Sequence, residues 1–248
     1  MILKSLKFFS QNIQNNRAFM NSILETNKDF DILFIQKPSW SFVCTIPSSS
    51  NEDEDRIVGV PNHPDWIIFS RPLIDNNNYS QVISYIITYL SYMQFSLRKN
   101  IFNHKDICYF SFFNNSDIFF MINVYSDDHQ STLKYLKGTE VNLHNVLIMA
   151  ENFNIRDSNW DPSYSFHLIH SNFLFEVANS FNLKLSSPIQ QVPTCYFDNE
   201  NNANLVIDLF LLWLNSIEVN NHIVFPELWY PSNHTLLTAN ISISEEFI

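Results

Sequence analysis

Val146-Leu147-Ile148-Met149-Ala150-Glu151-Asn152-Phe153-Asn154 is an apolar run that stops abruptly at polar residues. A β-strand in an α/β scaffold presents its chemistry where the strand ends, so the polar tail marks a candidate site. Working outward, the same arrangement recurs along the chain. Phe8-Phe9-Ser10-Gln11-Asn12 comes first, followed by Phe30-Asp31-Ile32-Leu33-Phe34-Ile35-Gln36-Lys37-Pro38-Ser39-Trp40 and by Asn62-His63-Pro64-Asp65-Trp66. Ile122-Asn123-Val124-Tyr125 precedes the opening stretch, and Asn159-Trp160-Asp161-Pro162 follows it. Pro193-Thr194-Cys195-Tyr196, Val206-Ile207-Asp208-Leu209 and Pro231-Ser232-Asn233-His234 complete the series.

Between these segments lie the elements that would carry them. β-rich apolar stretches predict strands at Leu3–Ser10, Ile32–Gln36, Trp66–Phe69, Gln81–Tyr89, Ile107–Phe112, Ile118–Tyr125, Val146–Met149, Leu205–Leu214 and Leu236–Ile243. Apolar residues at i, i+3 and i+4 predict helices over Arg17–Thr26, around Thr132–Leu136 and over Phe166–Phe181. The order β-α-β, several strands, then α-β-α-β-β predicts an α/β fold with mixed sheets. No linker composition divides the 248 residues, so one domain over 1–248 is expected.

Hydrophobic residues make up 46% of the chain and Phe alone accounts for 23 residues, enough apolar surface for a large core. Trp40, Trp66 and Trp160 are expected in that core. With only 2 Gly, the chain needs another residue for left-handed turns, and Asn is the next most tolerant. Asn15-Asn16, Asn76-Asn77-Asn78 and Asn201-Asn202 are therefore expected to be turns, and the acidic stretch Ser48–Asp55 a disordered loop. Two glycines cannot build a phosphate-cradling Gly-rich loop. The formal net charge of −11 argues against a protein that coats nucleic acid, because phosphate binding needs clustered Lys and Arg. Three cysteines, Cys44, Cys108 and Cys195, lack metal-ligand spacing and are expected to be reduced core residues in an intracellular chain, cytoplasmic or nuclear. No signal peptide and no membrane span is expected.

Taken together and in order, the eight motifs resemble the endonuclease domain of non-LTR retrotransposons, especially fungal ones, within the endonuclease/exonuclease/phosphatase superfamily. That pattern runs Q-x-N, D-I-L-x-x-Q-E-P-W, H-P-x-W, N-V-Y, G-D-F-N with W-D-P, P-T-x-Y, V-I-D-L and S-D-H. The resemblance implies a DNase-like four-layer sandwich, two packed mixed sheets flanked by helices. It also implies metal-assisted phosphodiester hydrolysis, with a Mg²⁺ or Mn²⁺ ion held by carboxylates while an Asp and a His handle the attacking water. Position by position, Asn12 matches an Asn near the metal and Tyr125 the phosphate-contacting Tyr. Asn154 matches the Asn on the scissile phosphate, Asp208 the Asp that orients the His, and His234 that His.

The departures fall on the charged positions. Lys37 stands where the pattern has its metal-binding Glu, Asn152 replaces the Asp of G-D-F-N, and Asn233 replaces the Asp of S-D-H. Neutral amides are poor ligands for a hard cation, and an ammonium at Lys37 would repel one. Glu151 should point away from the site by strand alternation. Asp127, Asp128 and Asp161 are acids near enough in sequence to raise the question of rescue. A carboxylate at Asp208 inside an apolar run needs a partner, and a hydrogen bond to His234 would supply it. Absent the resemblance, His234 reads as a surface or satisfied core histidine. The expectation is a retroelement-derived domain without hydrolytic activity and without a cofactor. The alternatives are a Mg²⁺-dependent endonuclease with altered coordination, and a protein that binds DNA or another phosphate-containing ligand without cutting it.

Overall fold

The computed structural model describes residues 5–40, 44–46, 56–58, 62–71, 79–114, 117–139, 145–161, 163–165, 169–186, 193–196, 205–213, 223–225 and 232–242. The chain begins with strand β1 (Ser5–Asn12), helix α1 (Arg17–Thr26) and β2 (Ile32–Gln36). Short strands β3 (Cys44–Ile46) and β4 (Arg56–Val58) pair with each other, and β5 (Trp66–Phe69) and β6 (Val82–Ile87) follow. A 3₁₀ turn at Thr88–Met93 leads to β7 (Ser96–Leu97), β8 (Ile107–Asn114) and β9 (Asp117–Tyr125). Helix α2 (Ser131–Gly138), β10 (Val146–Asn152), helix α3 (Ile169–Ser180) and β11 (Leu183–Ser186) come next. The last elements are β12 (Asp208–Trp213), β13 (Ile223–Phe225) and β14 (Leu236–Ser242).

Two six-stranded mixed sheets result, in the orders β13-β14-β1-β2-β6-β5 and β11-β12-β10-β9-β8-β7. Each is built around one parallel pair, β1 with β2 and β9 with β10, and every other pairing in it is antiparallel. Parallel neighbours cannot be joined by a hairpin, and α1 and α2 supply the two crossovers. Helix α1 starts where Asn16 Oδ1 accepts from Phe19 N at 2.9 Å, and it buries Met20, Ile23 and Leu24 against the first sheet's core.

The sheets pack face to face through aromatic contacts, Phe34 of β2 meeting Phe110 of β8 at 6.1 Å and Phe69 of β5 meeting the same ring at 5.5 Å. An amide tie crosses the same interface. Gln36 Nε2 donates to Ser10 Oγ (3.1 Å) and to Asn123 Oδ1 (3.0 Å), while Asn123 Nδ2 donates to Ile83 O (2.9 Å) and Ser84 Oγ (3.2 Å). Each of these polar side chains is buried, so the network satisfies groups that would otherwise be costly. The mixed sheets are those the element order predicts, and with helices outside them the architecture is the four-layer α/β sandwich that the resemblance implies.

Several boundaries differ from the sequence reading because ladder partners carry strands past their apolar runs. β1 continues to Asn12 opposite Gln36, and β10 continues to Asn152, which pairs with both Tyr125 and Asp208. The strand expected from Leu205 begins at Asp208, and Thr88 and Tyr89 belong to the 3₁₀ turn. β3, β4, β7, β11 and β13 are too short to show a periodicity and were not expected. Asn15 adopts φ 61° and Asn16 caps α1, as the Asn turn required. Among the described residues, eight non-Gly residues have positive φ and four of them are Asn (Asn15, Asn145, Asn154, Asn182), which carries the turn role expected of this residue. Residues 76–78, 201–202, 48–55 and 166–168 lie outside the described residues. Trp40, Trp66 and Trp160 are buried, as is Cys108, whereas the side chain of Cys44 is outside the described set.

Candidate functional site

Both parallel pairs end on the same side of the sandwich. Asn12 closes β1, Gln36 closes β2 with Lys37 just beyond it, Tyr125 closes β9 and Asn152 closes β10. The antiparallel neighbours begin there, β12 with Asp208 directly opposite Asn152, and β14 just after His234. Carboxyl ends of parallel strands are where open α/β sheets place ligands, and two such ends face each other here.

Four side chains make the buried centre. Asp208 Oδ2 lies 2.9 Å from His234 Nδ1, and Asp208 Oδ1 accepts from Asn152 Nδ2 at 2.7 Å. Asn152 Nδ2 is also 3.2 Å from His234 Nδ1, and Asn12 Nδ2 is 3.3 Å from His234 Nε2. The partner that Asp208 required is therefore present. Burial on its own would lower the pKa of His234; the charge and hydrogen bond of Asp208, with Cys195 beside the ring, outweigh it and raise the value to about 10. The backbone holds the ring in place, since Gln11 Nε2 donates to His234 O at 3.0 Å and Ser232 Oγ bridges Asn12 O (2.6 Å) and His234 N (3.1 Å). Thr194 Oγ1 accepts from Ile207 N (2.9 Å) and Asp208 N (3.0 Å), fixing the start of β12.

Asn152 is fully buried, and its Oδ1 has no hydrogen-bond partner. The reason is geometric: the amide must turn its NH₂ toward the Asp208 carboxylate, which leaves the carbonyl facing a place where no donor reaches. Lys37 sits in the left-handed region at φ 45°, and its ammonium lies over the Tyr125 ring, 5.3 Å from the centroid. A cation on an aromatic face is attracted by the ring quadrupole. Asn154, at φ 51°, donates Nδ2 to Ser126 O at 2.6 Å. Asn233 Oδ1 accepts from Gln14 Nε2 at the rim. Asn154, Asn233 and His234 line a cleft of about 520 Å³.

Of the acids considered as substitutes, Asp161 is already committed. Its Oδ2 accepts from Arg156 Nε (3.1 Å) and Val206 N (3.4 Å), and its Oδ1 accepts from Ser163 N at 3.1 Å. Asp127 accepts from Ser131 N (2.8 Å) and Ser131 Oγ (2.9 Å) at the start of α2. Asp128 does line the cleft. The side chain of Glu151 is outside the described residues. Among the described residues no three His, Cys, Asp or Glu side chains gather as a metal-holding group.

Cys195 is buried and reduced, as the sequence reading expected, at 3% exposure. It also borders the cleft, and its Sγ is 3.8 Å from His234 Nε2. Backbone bridges from Cys195 to Leu205 and to His234 hold it there. Gln14, Asp128 and Arg156 are further cleft residues that the motifs did not reveal. The only available signal for Cys195 was its place between Thr194 and Tyr196, a motif position that carries no residue preference.

No family model and no curated protein matches the sequence. The architecture is nevertheless that of the endonuclease/exonuclease/phosphatase fold. The endonuclease domain of TRAS1, a telomere-specific non-LTR retrotransposon, superimposes with a TM-score of 0.70 at 13% identity, over 95% of this chain and 98% of that one. The AP endonuclease LMAP from Leishmania major gives 0.66 at 12% identity, over 97% and 89%. An endonuclease/exonuclease/phosphatase from Beutenbergia cavernae gives 0.54 at 10% identity, over 98% and 72%. No helix among the described residues is long and apolar enough to cross a membrane.

Proposed function

We propose that this chain is a retroelement-derived protein of the endonuclease/exonuclease/phosphatase fold that has lost metal-dependent hydrolysis and keeps a cleft able to bind a phosphate ester, DNA included. The observation that carries this reading is the Lys37 ammonium stacked on Tyr125, where the resemblance puts a metal-binding carboxylate. Its neighbours Asn12 and Asn233 offer amides. An ammonium and neutral amides do not fit a hard divalent cation, whose ligands are carboxylate, phosphate and water oxygens. Asn152, where the resemblance puts an Asp, has no basic lone pair for the proton of an attacking water. Its NH₂ is spent on Asp208 instead.

What remains suits an anion. Lys37 supplies a fixed positive charge, Tyr125 a hydroxyl, and His234 a ring nitrogen on the side away from Asp208. A plasmid-nicking assay with Mg²⁺ and with Mn²⁺ tests the loss of hydrolysis, and no EDTA-sensitive nicking is expected. Nicking by the natural chain that disappears in His234→Ala would overturn it. Binding is tested by fluorescence anisotropy with short single- and double-stranded DNA at low salt, where Lys37→Ala should weaken affinity about tenfold. No binding even at low salt sinks that half of the reading.

Asp128 favours a second reading, a hydrolase with altered metal coordination, because it places a carboxylate on the cleft. Mg²⁺ sites can work with one or two carboxylates plus substrate phosphates. If the natural chain nicks DNA, loss of that activity in Asp128→Asn would support it.

A further inference from the structure

The geometry points to Cys195 as a reactive thiol, set beside a histidine that a carboxylate orients, which forms covalent adducts with small carbon electrophiles entering the cleft. Cys195 Sγ is 3.8 Å from His234 Nε2, within hydrogen-bonding range for sulfur, and Asp208 Oδ2 is 2.9 Å from Nδ1 on the far side of the same ring. Sulfur, protonated imidazole and orienting carboxylate thus follow one another, an arrangement that sets a cation beside a nucleophile. None of the three is free to drift. Cys195 N donates to Leu205 O and Leu205 N donates to Cys195 O, both at 2.9 Å, and Tyr196 N donates to Asn233 O at 2.8 Å. The third side of His234 Nε2 is occupied by the Asn12 amide at 3.3 Å, which confines the ring to the plane facing the sulfur. The thiol also has somewhere to react, since it borders the cleft of about 520 Å³.

The step is a substitution. The Sγ–H proton is lost to solvent while the protonated His234 ring, its Nε2 facing the sulfur, stabilises the charge developing there; a bond forms from Sγ to the electrophilic carbon, and the leaving group departs with the bonding electron pair. Redox state does not change and no co-reactant is needed. This chemistry differs from phosphate-ester binding and does not depend on it.

Cys108 provides an internal contrast. It is fully buried, its Sγ 3.6 Å from Phe69 O, and burial pushes its thiol pKa up to about 12. Its expected behaviour is that of an inert core thiol.

The test is pseudo-first-order labelling of the native chain by iodoacetamide at neutral pH, in a Cys44→Ser background, with each site read by peptide mass spectrometry. Cys195 should be carboxamidomethylated at least about tenfold faster than Cys108, and faster than the same cysteine in the chain unfolded by guanidinium. His234→Ala should cut the Cys195 rate about tenfold while leaving Cys108 unchanged. Labelling of native Cys195 no faster than Cys108, or no faster than in the unfolded chain, overturns the proposal. That comparison needs only the natural histidine, so it decides the question even if His234→Ala does not fold.

Discussion

Asp208 divides its two oxygens between an imidazole and an amide, and a pH dependence follows from that division. The folded-state pKa of His234 is raised to about 10 from an ordinary 6.5, so the folded chain holds a proton that the unfolded chain releases first. The pair's contribution to stability is therefore complete below pH 6.5 and lost as pH rises through 10. Denaturant midpoints measured from pH 6 to 10.5 should fall across that window in the natural chain, whereas Asp208→Asn should flatten the profile and start lower. An unchanged slope in Asp208→Asn would remove the pair as its cause. Asn152 adds a second expectation at this scale. Its orphaned Oδ1 costs about 1–3 kcal/mol. Much of this was legible in the sequence: Asn12, Tyr125 and Asn152 end apolar runs, His234 precedes one and Asp208 interrupts one, and the structure brings them to one side of the sandwich. The contacts made by Cys195, Gln14 and Asp128 were not legible. They depend on how loops after different strands converge, and no local pattern encodes that convergence.

Among the elements, helix α1 and the amide tie between sheets carry separable amounts of stability. Asn16→Ala removes the acceptor for Phe19 N, and a loss of about 1 kcal/mol in the denaturant unfolding free energy is expected. Asn123→Leu should cost more, about 2–4 kcal/mol, because it strands Ile83 O, Ser84 Oγ and one bond of Gln36 in a buried layer. A loss under 1 kcal/mol would mean that the tie is dispensable. Gln36 and Asn123 lie inside two of the motifs that support the resemblance, yet their side-chain hydrogen bonds go to Ser10, Ile83, Ser84 and each other and join the sheets. A polar residue inside an apolar strand was the visible signal, but its partner sits on the other sheet, where a strand-by-strand reading cannot reach. Strand existence was recoverable for the long elements because apolar runs persist. It was not recoverable for β3, β4, β7, β11 and β13, which are strands only by virtue of the neighbours they pair with, although the equally short β5 was expected at Trp66–Phe69.

For the molecule as a whole, placing acids at the three departing positions should expose a repulsion that the present residues avoid. In the triple variant Lys37→Glu, Asn152→Asp, Asn233→Asp, a carboxylate would replace the amide now 2.7 Å from Asp208 Oδ1, and like charges would crowd one end of the sandwich. Its melting temperature in EDTA should drop by about 5 °C, corresponding to about 2 kcal/mol, and Mg²⁺ should restore it. The natural chain should show no Mg²⁺ response, and a shift in it would argue that a cation binds after all. One feature of the sheet also governs how the molecule can be made. β1 lies between β2 and β14, its partners near the two ends of the described chain, with Ser5 paired to Ser242. A nascent chain can dock β1 on β2 early, but the other edge of β1 stays open until more than 230 residues have emerged. Through that interval an apolar strand with free backbone donors and acceptors is exposed to any passing edge, so synthesis speed and chaperone supply, more than final stability, should set the soluble yield.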